Sequence, residues 1–257
     1  MAVVLQSRLL RERGVVHAFS TRQGGVSEGP FASLNVAVGP GDQPAAVAEN
    51  LRRFCAVLGV PHVYQTSQVH GSGLQLVRAS DDVRAMLHRE ADALCAGDPG
   101  IAVGVRVADC VPVLVHDAVT GEVAAIHAGW RGIAGGVVSA AIAHLALRPA
   151  SAAGIVAAIG PCIGVEAFEV GEEVVDALEL AAPDPAVVRR DLGPKPHVDL
   201  RRAVRAQLRA LGLADDAIED VPGCTFAEPA RFFSFRRDGA RSGRLLAAIV
   251  RPAVPGP

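Results

Sequence analysis

Five short runs rich in Val, Ile, Leu and Ala constrain this chain more than any other feature: Ile101–Val107, Val111–Val115, Glu122–His127, Ile155–Ile159 and Leu245–Val250. Each is bounded by Gly, Pro or Asp, and each reads as a buried strand. Around them, apolar residues recur at helical spacing. Val47, Leu51, Phe54, Cys55 and Leu58 fall at three- and four-residue steps and stop at Gly59, ahead of Pro61. Ile133–Leu147 reads the same way, as does Leu200–Leu211, with Asp199 as N-cap and Gly212 as terminator, and Glu172–Leu180 is a shorter fourth helix. Helices fall irregularly among strands, and several strands lie close enough in sequence for hairpins. Asp117–Gly121, for example, is expected to turn Val111–Val115 into Glu122–His127. The pattern predicts an α+β fold of layered mixed sheets flanked by helices. Without a repeat or a linker-like stretch, residues 1–257 are expected to form one domain.

Charge narrows the choice of partners. With 25 basic and 27 acidic residues the net charge is −2, which supplies no field for bulk nucleic acid or an anionic membrane. The longest apolar stretch, Ile133–Leu147, contains Ser139 and His144 and falls short of the ~20 residues that a bilayer crossing takes. Met1–Val16 carries Arg8, Arg11, Glu12 and Arg13 where an export signal would be apolar. Five widely spaced cysteines without a CxxC pair point to a reducing compartment, so a cytoplasmic location is expected. Oligomeric state leaves no mark in the sequence.

The chemistry-bearing candidates stand at strand ends. Ile101–Val107 runs into Ala108-Asp109-Cys110, and the strand after the turn ends in His127-Ala128-Gly129. Gln68-Val69-His70-Gly71 offers a second glycine-flanked histidine. Two imidazoles and a thiolate suit zinc with a fourth position open, and would also take copper. Their spacing fits no contiguous metal motif, and each has a plainer reading as a packed thiol or a hydrogen-bonded histidine. Cys55, Cys95 and Cys224 read as structural, and His17, His62, His88, His116, His144 and His197 lack a comparable glycine setting. Three glycine-dense loops, 21–27, 127–132 and 159–164, expose amides that either bind anions or serve tight turns. Arg231–Gly243 mixes Phe232, Phe233 and Phe235 with Arg236 and Arg237; it reads equally as a stacking and phosphate-pairing segment or as a core strand with a basic turn.

These blocks occur together in a known order. RQGGVS (22–27), SLN (33–35), QVHG (68–71), ADAL (91–94), ADCVPV (108–113), HAGWRG (127–132), IGPCIG (159–164), FEVG (168–171) and FFSFRRDG (232–239) resemble the YfiH family over nearly the whole chain. That family is also called the polyphenol oxidoreductase or laccase-domain family, and the peptidoglycan editing factor. The resemblance implies a layered α+β fold and one zinc ion held by His70, Cys110 and His127. It further implies phosphorolysis of adenosine, inosine, guanosine and methylthioadenosine, together with deamination of adenosine. Arg22 and Asn35 are the positions it carries over to substrate or phosphate contact. The chain departs from the family at Gly39-Pro40-Gly41-Asp42, where relatives place a histidine, at Val204, where many have asparagine, and in lacking a second cysteine after CIG.

The function classes can be weighed by residue supply. A multicopper oxidase feeds a trinuclear cluster largely with histidines, whereas most of the eight here are scattered singly with no His-x-His pair. A thiol hydrolase would use Cys110 with His127 as its base, and these two are the catalytic candidates, but a thiolate held by a metal is no free nucleophile. The expected partners are a purine nucleoside and phosphate: Arg22 and Arg131 would hold the anion, while Phe233 and Arg236 would line the base slot. The competing readings are a hydrolase editing peptidoglycan precursors and a copper-dependent polyphenol oxidoreductase.

Overall fold

The structure, a computed structural model, describes residues 1–37, 41–146 and 154–253. Gly39, Pro40 and Leu147 lie outside the described residues. The elements run β1 (Val4–Leu5), α1 (Arg8–Glu12), β2 (His17–Ser20), α2 (Pro44–Leu58), β3 (Leu74–Val77), α3 (Val83–Met86), β4 (Ala93–Ala96), β5 (Ala102–Val107), β6 (Val111–Asp117), β7 (Val123–Ala128), α4 (Trp130–Ala134), α5 (Val137–Leu145), β8 (Ile155–Ile159), α6 (Glu172–Ala181), β9 (Val188–Arg189), β10 (His197–Val198), α7 (Leu200–Ala210), β11 (Ile218–Asp220), α8 (Phe235–Asp238) and β12 (Leu245–Val250).

The main strands form two sheets. One is six-stranded in the order β11-β8-β6-β7-β4-β3, the other four-stranded in the order β1-β2-β12-β5. The expected hairpin is present: β6 and β7 pair antiparallel, with Val111 opposite Ala128 and Pro112 opposite His127. Gly121 closes the turn at φ 71°, a backbone conformation that glycine adopts without steric cost. β5 and β6, only three residues apart, part company, for β5 pairs with β12 across most of the chain's length. Ala108-Asp109-Cys110 is therefore the crossover from one sheet to the other.

Side-chain alternation explains why these strands are apolar throughout. On β6, Val111, Val113 and Val115 face α4, α5, α6 and α7, while Leu114 faces the second sheet with Ala125 of β7, Val105 of β5 and Phe19 of β2. The outer face of the second sheet is closed by α2 through Phe54, Cys55 and Leu58. The result is the expected α+β layering of helices, sheet, sheet and helix. The helix expected over 133–147 is interrupted: α4 and α5 are separate, with Gly136 at φ 82° between them. Asp199 caps α7 as expected, its carboxylate accepting from Arg202 N at 2.9 Å. Among the described residues no helix is long and apolar enough to cross a membrane.

Candidate metal centre

Three chain segments converge at the crossover. The hairpin register sets Cys110, just before β6, beside the residues that follow β7, and His127 is the last but one residue of β7. β4 runs along the other side of β7, with Ala93 opposite Ile126, so Asp92 sits next to His127. The Gln68–Gly71 loop drapes over Asp92. His70, Cys110 and His127 thereby bring their ligand atoms within 4.8 Å of one another. Cys110 Sγ lies 3.9 Å from His70 Nε2, and the two imidazole rings stand edge to face with centroids 4.9 Å apart. The three form a gradient from floor to rim, with His127 buried, Cys110 half-buried and His70 exposed.

Asp92 organises this convergence. Its carboxylate is fully buried and accepts from Val69 N at 3.1 Å, His70 N at 3.0 Å and Gly71 N at 2.8 Å. It also accepts from His127 Nδ1 at 2.7 Å, and its backbone oxygen accepts from His127 N at 2.7 Å. One anion thus holds His70 at φ 60° and keeps a proton on His127 Nδ1, so that Nε2 is the nitrogen that would turn to a metal once its own proton is displaced. Burial would raise the Asp92 carboxyl, but His127 and the loop amides outweigh it and hold it below its ordinary value.

Cys110 and His127 titrate as a pair. Burial alone would push the thiol up; the charge of His127, with His70, overcomes this and brings it down to about 6. Burial would likewise lower His127, whereas the Cys110 thiolate and Asp92 carry it up to about 9. A thiolate is the form that ligates a soft metal. Gly129 completes the geometry, because a Cβ there would stand 3.0 Å from His70 Cδ2 and 3.1 Å from Cys110 Sγ. Two imidazoles, one of them oriented by a carboxylate, and a thiolate form a donor set that fits zinc or copper and not a hard oxygen-seeking ion.

The trio lies in the wall of an open cavity of about 770 Å³. Aromatic side chains of Phe31, Trp130, Phe168 and Phe235 line it, as do Arg106, Arg131, Arg236 and Arg244. Arg131 lies 4.2 Å over the Trp130 ring and Arg236 5.0 Å over Phe168. Asn35 also lines the cavity, but its amide is occupied: Nδ2 donates to Ala37 O and to Asp42 Oδ2, and Oδ1 accepts from Arg244 N.

Two expected contacts are corrected. Arg22 is absent from the cavity lining, because its guanidinium donates to the carbonyls of Ala32, Pro229 and Pro30 and rests 4.4 Å over the Phe233 ring. Phe233 is fully buried with Phe232, Val107 and Leu245. Phe235, 51% exposed, is the aromatic residue of the Arg231–Gly243 segment that lines the cavity. Arg231–Gly243 is also not a strand, for Ser234 caps the short helix α8. The loops at 21–27 and 159–164 turn key amides inward: Gly25 N donates to Ser33 Oγ, Val26 N to Asn50 Oδ1, Gly160 N to Pro112 O and Ile163 N to Asp109 O. Sequence reasoning gave no role to Asp92, Arg106 or Arg244; the signal for the first two was a charge set within or beside an apolar strand.

Comparison with known proteins agrees with this architecture. A protein-family model described as multi-copper polyphenol oxidoreductase laccase matches residues 16–252. A purine nucleoside phosphorylase of Bacteroides thetaiotaomicron is 36% identical over 247 residues, 92% of this chain and 91% of that protein. One from Deinococcus radiodurans is 38% identical, covering 94% of this chain and 91% of its own length. The crystal structure of YlmD from Geobacillus stearothermophilus superposes with a TM-score of 0.86 at 33% identity, covering 96% of this chain and 94% of that one. That of YfiH from Bacillus licheniformis gives 0.85 at 29% identity, with 92% of each chain covered.

Proposed function

Because the chain belongs to the polyphenol oxidoreductase laccase family that includes YlmD and YfiH, we propose that it is a zinc-dependent purine nucleoside phosphorylase. Its substrates in this reading are adenosine, inosine, guanosine and methylthioadenosine, and deamination of adenosine is a second activity of the same site. The observation that carries the proposal is the lining of one cavity, where the His70, Cys110 and His127 donor set, aromatic faces and arginines with no ion pair among the described residues meet. Relatives named purine nucleoside phosphorylase, 36% and 38% identical over more than nine-tenths of this chain, support it.

His70, Cys110 and His127 would hold the metal, and Asp92 would orient His127. When bound, zinc would supply a Lewis-acidic centre. The chain's own residues do the rest. Phe168, Phe235 and Trp130 offer flat apolar faces for a purine, with Arg236 and Arg131 stacked on two of them. Arginines deeper in the cavity bind phosphate beside the sugar. In phosphorolysis a phosphate oxygen bonds to C1′ while the C1′–N9 bond breaks, and the electron pair leaves on N9 of the purine.

A copper-dependent phenol oxidase is the second reading, favoured by the same two-imidazole, one-thiolate set and by the family's description. The deciding experiment is chromatography of adenosine incubated with purified protein, with and without phosphate. Adenine and ribose 1-phosphate forming only with phosphate support the proposal, and inosine supports the deaminase arm. Nucleosides left untouched by fully zinc-loaded protein that instead cleaves a peptidoglycan precursor, or by copper-loaded protein that oxidises phenols, would refute it.

A further inference from the structure

Arg106 and Arg244 differ from the other two arginines of the cavity. In the β5–β12 register Arg106 stands opposite Leu246 and Val107 opposite Leu245. Arg244, two residues before Leu246, therefore shares a sheet face with Arg106 at one diagonal step. Farther along, that face is buried under α2 by Ala102, Leu246 and Ala248; at this end it opens into the cavity.

Each arginine is clamped through its main chain. Arg106 N donates to Gln68 Oε1 at 2.8 Å and Gln68 Nε2 returns a bond to Arg106 O at 2.7 Å, which ties β5 to the loop carrying His70. Arg244 N donates to Asn35 Oδ1 at 2.8 Å. The guanidinium groups themselves keep free donor nitrogens, although that of Arg244 also lies 5.5 Å over the Phe235 ring. Arg106 donates from Nη2 to Thr66 O, and Arg244 from Nη1 to Ser242 O and Gly243 O. On both, Nε and one further nitrogen have no protein acceptor among the described residues. Neither forms an ion pair there, and Asp109, the one carboxylate in the cavity lining, is spent on Thr225 Oγ1 and Arg236 N.

Two half-buried like charges on one face, with no acid between them, form an arrangement that a dianion stabilises through forked, charge-assisted bonds. Burial, and then the proximity of Arg244, pull Arg106 below its ordinary value. Arg244 is lowered by burial, and it lines the same cavity as the donor set. Arg131, by contrast, is exposed, whereas Arg106 and Arg244 are half-buried.

We infer that Arg106 and Arg244 form the oxyanion seat of this cavity, and that its ligand is inorganic phosphate, the co-substrate in the nucleoside reading on which this inference rests. The same tetrahedral dianion could arrive as the 5′-phosphate of a nucleotide, and the test separates the two sources. Phosphate titrations of the zinc-loaded protein, by calorimetry and by steady-state kinetics, are run on the wild type, Arg244→Gln and Arg106→Gln. The seat predicts that both the dissociation constant and the KM for phosphate rise about tenfold or more in each variant, with adenosine affinity and zinc content unchanged.

Phosphate affinity within twofold of wild type in folded Arg244→Gln and Arg106→Gln would overturn the inference. Should either variant fail to fold, phenylglyoxal labelling of the wild type read by mass spectrometry decides the matter. Phosphate must then protect Arg106 and Arg244, and protection of Arg131 or Arg236 alone would overturn the assignment. Adenosine 5′-monophosphate that binds through the same two arginines more tightly than adenosine and excludes phosphate would overturn the choice of inorganic phosphate. Phosphate bound at the seat by a protein that leaves every nucleoside intact would refute the phosphorylase reading and leave the seat standing.

Discussion

Replacing Asp92 by asparagine should damage the centre without touching a ligand. The carboxylate accepts four hydrogen bonds through two oxygens: Oδ1 takes His70 N and His127 Nδ1, and Oδ2 takes Val69 N and Gly71 N. An amide of the same shape can accept at one end only. If its oxygen serves His70 and His127, its NH2 group opposes the amides of Val69 and Gly71 and releases the loop. Turned over, the NH2 group opposes His70 N and His127 Nδ1, pushing the imidazole toward the tautomer protonated on Nε2 and removing a donor. Either way two bonds to a charged acceptor are lost in a fully buried position, at about 1.5–3 kcal/mol each. The loop and the imidazole can share this between them, so we expect zinc affinity to fall about 10- to 100-fold and the metal-free fold to lose about 2 kcal/mol. Competition with a chromophoric chelator measures the first and chemical denaturation of the metal-free protein the second. Wild-type values for both in Asp92→Asn would refute the organising role given to this residue.

Two further outcomes concern His116 and Arg22. His116 is 1% exposed with neither ring nitrogen hydrogen-bonded, and burial lowers it to about 4 despite the opposing influence of Asp117. The folded value lies below the unfolded one, so stability should be level above pH 6.5, fall by roughly 3 kcal/mol between pH 6.5 and 4, and level off below. His116→Leu should remove that share of the slope, and urea titrations at pH 7 and pH 4.5 that give the same pH dependence for both proteins would contradict this. Arg22→Ala should act on the fold, costing about 2–3 kcal/mol for three carbonyl bonds and a cation–π contact, while the KM for phosphate stays put; a raised KM with an unchanged melting temperature would return Arg22 to the binding machinery.

Much of the architecture was legible because local pattern and tertiary role coincide. Ile155–Ile159 and Leu245–Val250 fold as strands with the bounds their apolar runs suggest, and Asp199 and Gly59 end their helices as their chemistry dictates. Sheet membership was not legible, since nothing local in Ile101–Val107 reveals that its partner is Leu245–Val250 rather than the strand three residues on. Apolar periodicity carried the reading of Ile133–Leu147 past Gly135 and Gly136, where a left-handed backbone breaks the helix. At the site, the glycine-flanked histidines and the strand-end cysteine marked segments that the fold brings together. Arg22 and Phe233 misled because arginines next to glycines and aromatics next to arginines also suit structural roles, here carbonyl clamping and core packing. Asp92 and Arg106 were readable in principle, as charges at the margin of or inside a buried strand must be compensated by something; Arg244 had no such marker.

The central claim is that His70, Cys110 and His127 together form a metal centre. It is tested most directly by elemental analysis of the purified wild type beside His70→Ala, Cys110→Ala and His127→Ala, with His62→Ala as control, each checked for folding by its melting curve. The account predicts about one zinc per chain in the wild type and in His62→Ala, with zinc largely lost from the other three. Full zinc in folded Cys110→Ala, or loss of zinc from His62→Ala, would contradict it.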